Sequence, residues 1–262
     1  MVKKVKAKTG TREWAEHSRN IQLGCENDCR YCYAREMAVR FKRTTAIDWS
    51  KPVLMNNTAL KETPRKLKGR IMFPTTHDIT RNNLSVVCVY LVDWLRKGNE
   101  FLIVTKPDLF CIEMLTKVLE PYKDQVTFRF TIGSTDDVTL KFWEPNAPNF
   151  ESRLNSLVCA YTNGFKTSVS CEPYLDATIV SLVERVLPYV TDVVWIGKMN
   201  QIKKRVMLDK DNELSEVYMY NVELVQSNHN VKLLYEHFKN NPKVKWKDSI
   251  KKVIGLPEEA IG

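Results

Sequence analysis

The sequence has no apolar run long enough to cross a bilayer, and its opening residues lack the extended apolar stretch of a secretory signal. These absences argue against a helical membrane protein and predict a reducing, cytoplasmic setting. No internal repeat or low-complexity tract is present, and 262 residues suit one large α/β domain with a small appendage. Paired disulfides are not indicated either. The seven cysteines are an odd number, and Cys88, Cys111, Cys159 and Cys171 each lie alone in an apolar segment, as reduced buried thiols do. Acidic residues fall short of basic ones, leaving a net charge of +9 and a pI near 9.1. That excess favours an anionic partner such as nucleic acid, with a solvated basic surface as the alternative.

The other three cysteines, Cys25, Cys29 and Cys32, stand at C-x₃-C-x₂-C spacing in one short loop. Thiolates this close in sequence converge at small loop-closure cost, and soft sulfur ligands select zinc, Cu(I) or iron–sulfur clusters. A [4Fe–4S] cluster normally takes four cysteines, so three from one loop would leave an iron open. The competing reading is a Cys₃His zinc site completed by His17, in a non-catalytic nucleic-acid-binding module.

The spacing, with Tyr31 just before the last cysteine, resembles the radical S-adenosylmethionine (SAM) superfamily. The stretches 20–25 (NIQLGC) and 31–35 (YCYAR) resemble its spore photoproduct lyase-like branch. The pieces Thr105-Lys106, 144–148, 151–154 and 195–200 follow in the same order, and the likeness covers roughly residues 18–205. It implies that Cys25, Cys29 and Cys32 hold a [4Fe–4S] cluster whose open iron chelates SAM, and that reductive cleavage yields a 5′-deoxyadenosyl radical. It also implies that Tyr31 packs near the adenine, that Lys106 and Arg153 meet the SAM carboxylate, and that Thr131 or Ser134 meets the ribose. A flavodoxin- or ferredoxin-type electron donor is implied as partner. The expected function is a lyase-like or base-modifying enzyme acting on a nucleic-acid base or nucleotide, as in DNA repair, with a small metabolite or peptide as the alternative substrate. Two departures stand out: the usual glycine-rich acidic motif is replaced by Pro74-Thr75-Thr76-His77-Asp78, and no cysteine lies between Phe73 and Arg81 to return hydrogen to a product radical. No auxiliary-cluster domain is visible.

Along the chain, residues 1–17 read as a basic N-terminal arm, 18–205 as the barrel and 206–262 as a C-terminal helical extension. The first strand is expected to end at Gly24. Strand-like runs at 71–74, 101–106, 126–133, 167–173 and 192–198 alternate with helical patterns at 84–97, 109–119, 151–163 and 177–187. Gly98 and Gly164 mark helix ends, and Asp108 and Asp176 mark helix starts. About six βα units with right-handed crossovers follow, which predicts a partial (β/α)₆ TIM-type barrel. Beyond Lys198 the alternation fades, and the basic segment around Trp246 reads as a nucleic-acid-binding tail or a helix packed across the barrel.

Strand parity places Thr127, Arg129 and Thr131, and on the next strand Ser168, Ser170 and Glu172, on the barrel's inner side. Buried Arg and Glu are costly unless paired, so an Arg129–Glu172 contact is the simplest solution, with a polar cradle for SAM or substrate as the alternative. Thr76, His77, Asp78, Lys106 and Ser134 sit at strand ends, where parallel α/β folds bind ligands. His77, Asp78, Arg129 and Glu172 are therefore the catalytic candidates, and Thr76 joins the cofactor-binding set.

Overall fold

The computed structural model describes residues 10–55, 59–206 and 213–257. A seven-stranded parallel sheet forms its frame, in the spatial order β1 (His17–Ser18), β4 (Arg70–Phe73), β5 (Glu100–Thr105), β6 (Val126–Thr131), β7 (Lys166–Cys171), β8 (Val194–Ile196) and β9 (Val244–Trp246). Each strand lies beside its successor in the chain once the ribbon of β2 (Gln22–Leu23) and β3 (Val53–Leu54) is set aside, as in a barrel wound in one direction and left open between β1 and β9. The α/β partial barrel expected from the alternation is present, with one strand more than the six βα units counted. The added strand, Val244–Trp246, falls in the segment read as a basic tail. Trp246 is buried there against Tyr235 and is no nucleic-acid contact. The expected first strand is also displaced: the sheet is entered at His17–Ser18, whereas the residues just before Gly24 pair antiparallel with Val53–Leu54.

The helices α2 (Leu84–Leu95), α3 (Leu109–Val118), α5 (Phe150–Thr162) and α6 (Ile179–Val186) match the four patterns read from sequence. Gly98 and Gly164 adopt left-handed φ values of 79° and 78° just past two of them, and the Asp108 carboxylate accepts from the Cys111 amide at the start of α3. Helices α1 (Tyr33–Arg40), α4 (Asp137–Trp143), α7 (Ile202–Arg205), α8 (Glu213–Val225), α9 (Asn228–Phe238) and α10 (Asp248–Ile254) complete the described set. One core joins the sheet to its helices: Ile71, Phe101, Ile103, Phe128, Phe130, Val169 and Cys171 pack outward against them. Cys111 lies in that core and Cys88 and Cys159 pack on it, as parity and helix periodicity predict.

The inner face of the sheet is covered from below by the N-terminal segment. Residues 10–17, read as part of a loose arm, are docked: Ala15 and Trp14 pack on Met72, Leu102 and Val104. Lys3, Lys4, Lys6 and Lys8 lie outside the described residues. Arg129 faces inward as expected, but its partner is not Glu172. Its guanidinium reaches Asp192 at 3.3 Å, its Nε–H donates to Ser168 at 2.9 Å, and its Cζ lies 4.7 Å from the Trp14 ring. Register explains the correction. Arg129 is level with Ser168, and Glu172 lies four residues further on, about 13 Å along the strand. Parity fixes a face but not a height. Glu172 instead stands 3.7 Å from Lys247, which pairs with Glu13 at 2.8 Å.

A double-mutant cycle separates the two pairings. Arg129→Met and Asp192→Asn are expected to show a coupling of about 1–3 kcal/mol in urea unfolding, reduced from a fully buried pair because Asp192 is partly exposed. Arg129→Met with Glu172→Gln should be additive within about 0.5 kcal/mol.

Candidate metal centre and its supports

The cysteine loop lies at the carboxyl end of the sheet and is fixed at several points. Cys25 and Cys29 are buried, Cys32 is half-buried, and Asp28 between them turns the chain with a φ of 44°. Cys32 is also the N-cap of α1, its sulfur accepting from the Arg35 amide at 3.4 Å. The Arg35 guanidinium returns to Asp28 at 2.5 Å and bonds the Arg30 carbonyl. Gly24 has no room for a side chain: a Cβ there would lie 2.6 Å from the Trp49 carbonyl oxygen.

Asp78 holds the loop to the sheet. Its carboxylate accepts from Asn27 Nδ2 at 2.9 Å, Thr105 Oγ1 at 3.0 Å and the Lys106 amide at 2.6 Å, and the Cys25 thiol points at it from 3.8 Å. Lys106 Nζ lies 3.6 Å away. Burial alone would push this carboxyl up, but the Lys106 charge and the converging donors outweigh it and hold it below the usual range. Lys106 is held above its ordinary value in return: burial opposes its charge, and Asp78 and its other neighbours prevail.

A second chain of contacts supports the loop from beneath. The Tyr31 hydroxyl donates to Glu144, and Glu144 pairs at 2.5 Å with Arg153, both side chains fully buried. Arg153 also donates to the carbonyls of Pro148 at 2.7 Å and Thr131 at 3.3 Å. Its guanidinium is thus committed to protein partners beneath Tyr31. Sequence reading quoted Glu144 as part of a familiar stretch but gave it no role; an acidic residue before a proline turn carries no signal of its buried partner.

The remaining candidates are placed as follows. His77 is buried, its Nε2 accepting from the Ile21 amide at 3.2 Å while Nδ1 meets the Asp78 carbonyl at 3.0 Å. Burial pushes its pKa down to about 4, so it serves as a neutral brace. The Thr76 amide donates to Asn20 at 2.9 Å, beside Thr75. Ser134 is buried, its hydroxyl donating to Asp176 and accepting from the Asp136 amide. Thr131 contributes its carbonyl to Arg153. Glu172 sits at the end of β7, its side chain about one-fifth exposed. Gly197 makes room for it, because a Cβ there would fall 2.9 Å from both Glu172 Cγ and Lys247 Cγ. Arg129 is bound to Ser168 and Asp192 and, among the described residues, makes no contact with the groups that hold the cysteine loop.

The donor set discriminates between a single ion and a cluster. His17 lies on β1 with its Nε2 3.0 Å from the Lys68 carbonyl, away from the thiols, so the Cys₃His zinc site is not assembled. Among the described residues no three His, Cys, Asp or Glu side chains close on a point as they would around one metal ion. Three thiols that each take a different iron of a cubane need not meet at a point, and no fourth ligand is required if one iron stays open. Burial pushes all three thiols up, and the Asp78 charge adds to it at Cys25. Coordination would deprotonate them outright. The residues therefore fit a cluster held on three sides.

Comparison with known proteins bears on the fold. No protein-family model matches the chain. An uncharacterized protein of Acidianus two-tailed virus is 29% identical over 166 residues, 59% of this chain and 54% of the relative. One from Methanocaldococcus jannaschii is 26% identical over 171 residues, 62% and 61% of the two chains. The chain thus spans only about half to three-fifths of these curated relatives. Among solved structures, a spore photoproduct lyase variant superposes with a TM-score of 0.54 at 15% identity, covering 93% of this chain and 79% of that one. Streptococcus suis SuiB bound to S-adenosylmethionine gives 0.55 at 11% identity, covering 92% and 52%. The chain shares the fold of these radical SAM enzymes, an open α/β barrel.

His77 supplies a prediction. A folded value near 4 against an unfolded value near 6.5 means that acid protonates the unfolded chain first. Its contribution is complete above pH 6.5 and is lost as pH falls towards 4, by up to about 3 kcal/mol. In urea unfolding at both pH values, His77→Gln should lose less stability on acidification than the parent. Equal losses would show that His77 charges freely in the folded state.

Proposed function

We propose that the protein is a radical SAM enzyme acting on a nucleic-acid base or nucleotide, in a lyase-like or base-modifying reaction. The observation that carries the enzymatic reading is the loop of three cysteines, two buried and one half-buried, at the carboxyl end of a sheet of this fold. The Cys25, Cys29 and Cys32 sulfurs would hold the cluster, which with SAM supplies reductive cleavage to the 5′-deoxyadenosyl radical. The chain's own residues set the stage for that chemistry.

Asp78 and Lys106 fix the loop to the ends of β4 and β5, so the thiols cannot drift relative to the barrel mouth. Lys106 also brings positive charge towards Cys29 and Cys32, offsetting part of the burial that disfavours thiolates. Tyr31, braced by Glu144 and Arg153, offers its ring beneath Lys106, whose Nζ lies 5.8 Å from the ring centroid. Arg153 acts through Glu144 and Tyr31, supporting the SAM-binding wall rather than touching the carboxylate itself. Glu172, at the end of β7, and Tyr33, at the start of α1, are close enough for the Glu172 charge to add to the burial that raises the Tyr33 phenol.

Support for the nucleic-acid reading comes from the net charge of +9 and from a structural relative captured with a dinucleoside spore photoproduct, which superposes with a TM-score of 0.52 at 14% identity. The decisive experiment is anaerobic reconstitution followed by assay of 5′-deoxyadenosine release with and without DNA or RNA oligonucleotides. Replacing any one of Cys25, Cys29 or Cys32 with Ala should remove most bound iron and all SAM cleavage. A protein that takes up one zinc and no iron would overturn the enzymatic reading.

Cys171 carries a second prediction. It packs among helix-facing core residues, away from the inner face of the sheet. Cys171→Ala should leave the ratio of 5′-deoxyadenosine to product unchanged once a substrate is found. Continued SAM cleavage with loss of product would identify this thiol as the hydrogen donor.

A further inference from the structure

Helix α1 begins at the last cysteine of the loop and presents two unlike faces. Ala34, Arg35 and Ala38 are buried against the loop, whereas Tyr33, Met37 and Phe41, at i, i+4 and i+8, are exposed by 40, 39 and 54%. Large apolar side chains in an exposed row are unusual beside a functional site unless something covers them. Cations stand at both ends of this row. The Arg205 guanidinium lies 6.0 Å from the Tyr33 ring, and those of Arg40 and Arg43 lie 5.7 and 5.5 Å from the Phe41 ring. The carboxylates beside the row are Glu36, on the same helix, and Glu172, whose charge reaches Tyr33, against three guanidinium groups. From Tyr33 to Phe41 the helix rises about 12 Å, the length of three to four bases at about 3.4 Å each.

We infer that the Tyr33–Met37–Phe41 face of α1 is a stacking platform for single-stranded nucleic acid, leading the strand from Phe41 towards the cysteine loop. The inference rests on the nucleic-acid reading above and adds to it a surface, a strand state and a direction. Aromatic rings flanked by arginines suit unpaired bases, because every base offers a face to stack on and every linkage a phosphate to neutralise. A duplex hides those faces. A protein partner is the competing occupant, an acidic electron donor above all, and the duplex and reduction arms of the test separate it from a nucleic-acid strand.

The test uses the reconstituted protein with SAM under anaerobic conditions and the fluorescence anisotropy of a labelled oligothymidylate about twelve nucleotides long. Phe41→Ala should weaken binding at least about five-fold, Phe41→Tyr should retain it, and Arg43→Gln should lower the salt dependence by close to one phosphate contact. All three should keep their iron and their basal SAM cleavage, because none of these side chains touches the loop's supports. The matching duplex should bind the parent more weakly than the single strand. Unchanged oligonucleotide binding by Phe41→Ala, or loss only of reduction by a flavodoxin-type donor, would overturn the platform and leave the nucleic-acid reading standing. A parent protein that binds neither strand form would overturn both.

Discussion

The Asp78 carboxylate is the point on which the cysteine loop and the sheet are joined. It is buried, and a buried carboxylate without partners would cost several kcal/mol or take up a proton. Three strong donors and one ammonium meet it instead, drawn from Asn27 in the loop and from Thr105 and Lys106 at the end of β5. The same group therefore satisfies its own desolvation and ties together two segments far apart in sequence. His77 fixes the backbone beside it by bonding Ile21 on the approach to the loop. Loss of Asp78 would leave Lys106 buried and charged, and would free the loop from the strand that sets its height.

A comparable economy governs the barrel interior. One side of the interior is apolar, where Trp14 and Ala15 pack on Met72 and Leu102. Elsewhere buried charges are handled in separate groups: Arg129 with Asp192 at the base, and Glu172, Lys247 and Glu13 higher up. Trp14 lies against both groups, with Arg129 Cζ 4.7 Å and Lys247 Nζ 4.2 Å from its ring. Its indole attracts each cation while keeping water out. Glu13 and Lys247 are 234 residues apart, so their contact also bridges the open seam between the first and last strands of the sheet. The segments on either side of that seam are held by charge as well as by packing.

Much of this was legible in sequence because it depends on short-range periodicity. Period-two alternation in 126–131 and 166–171 correctly turned Arg129 inward and Cys171 outward, and glycine and aspartate marked the ends of helices that formed within a residue or two of expectation. The three cysteines announced their loop by spacing alone. What failed depends on distance along or between elements. Nothing in the residues around Arg129 encodes that its neighbour on β7 is Ser168 rather than Glu172. Val244–Trp246 is only three residues long in a lysine-rich setting, so its pairing with β8 has no local signature. The Glu144–Arg153 pair and the docking of Trp14 are tertiary facts of the same kind.

If the chain performs the radical chemistry proposed above, the placement of side chains around the loop bears on how a product radical would recover a hydrogen atom. Every thiol outside the loop lies in or against the helix-facing core, and the phenols beside the loop are those of Tyr31, within it, and Tyr33, directly after it. Tyr31 is committed to Glu144 and lies beneath the loop. Tyr33 is different: its hydroxyl donates to the Thr75 carbonyl, but its ring edge is open to solvent, and burial of the phenol raises its pKa to about 12. A phenol that stays protonated at neutral pH retains its hydrogen, and this one stands at the first turn after Cys32. On that proposal Tyr33 is the phenol to consider as donor, and return from 5′-deoxyadenosine is the route that needs no protein donor.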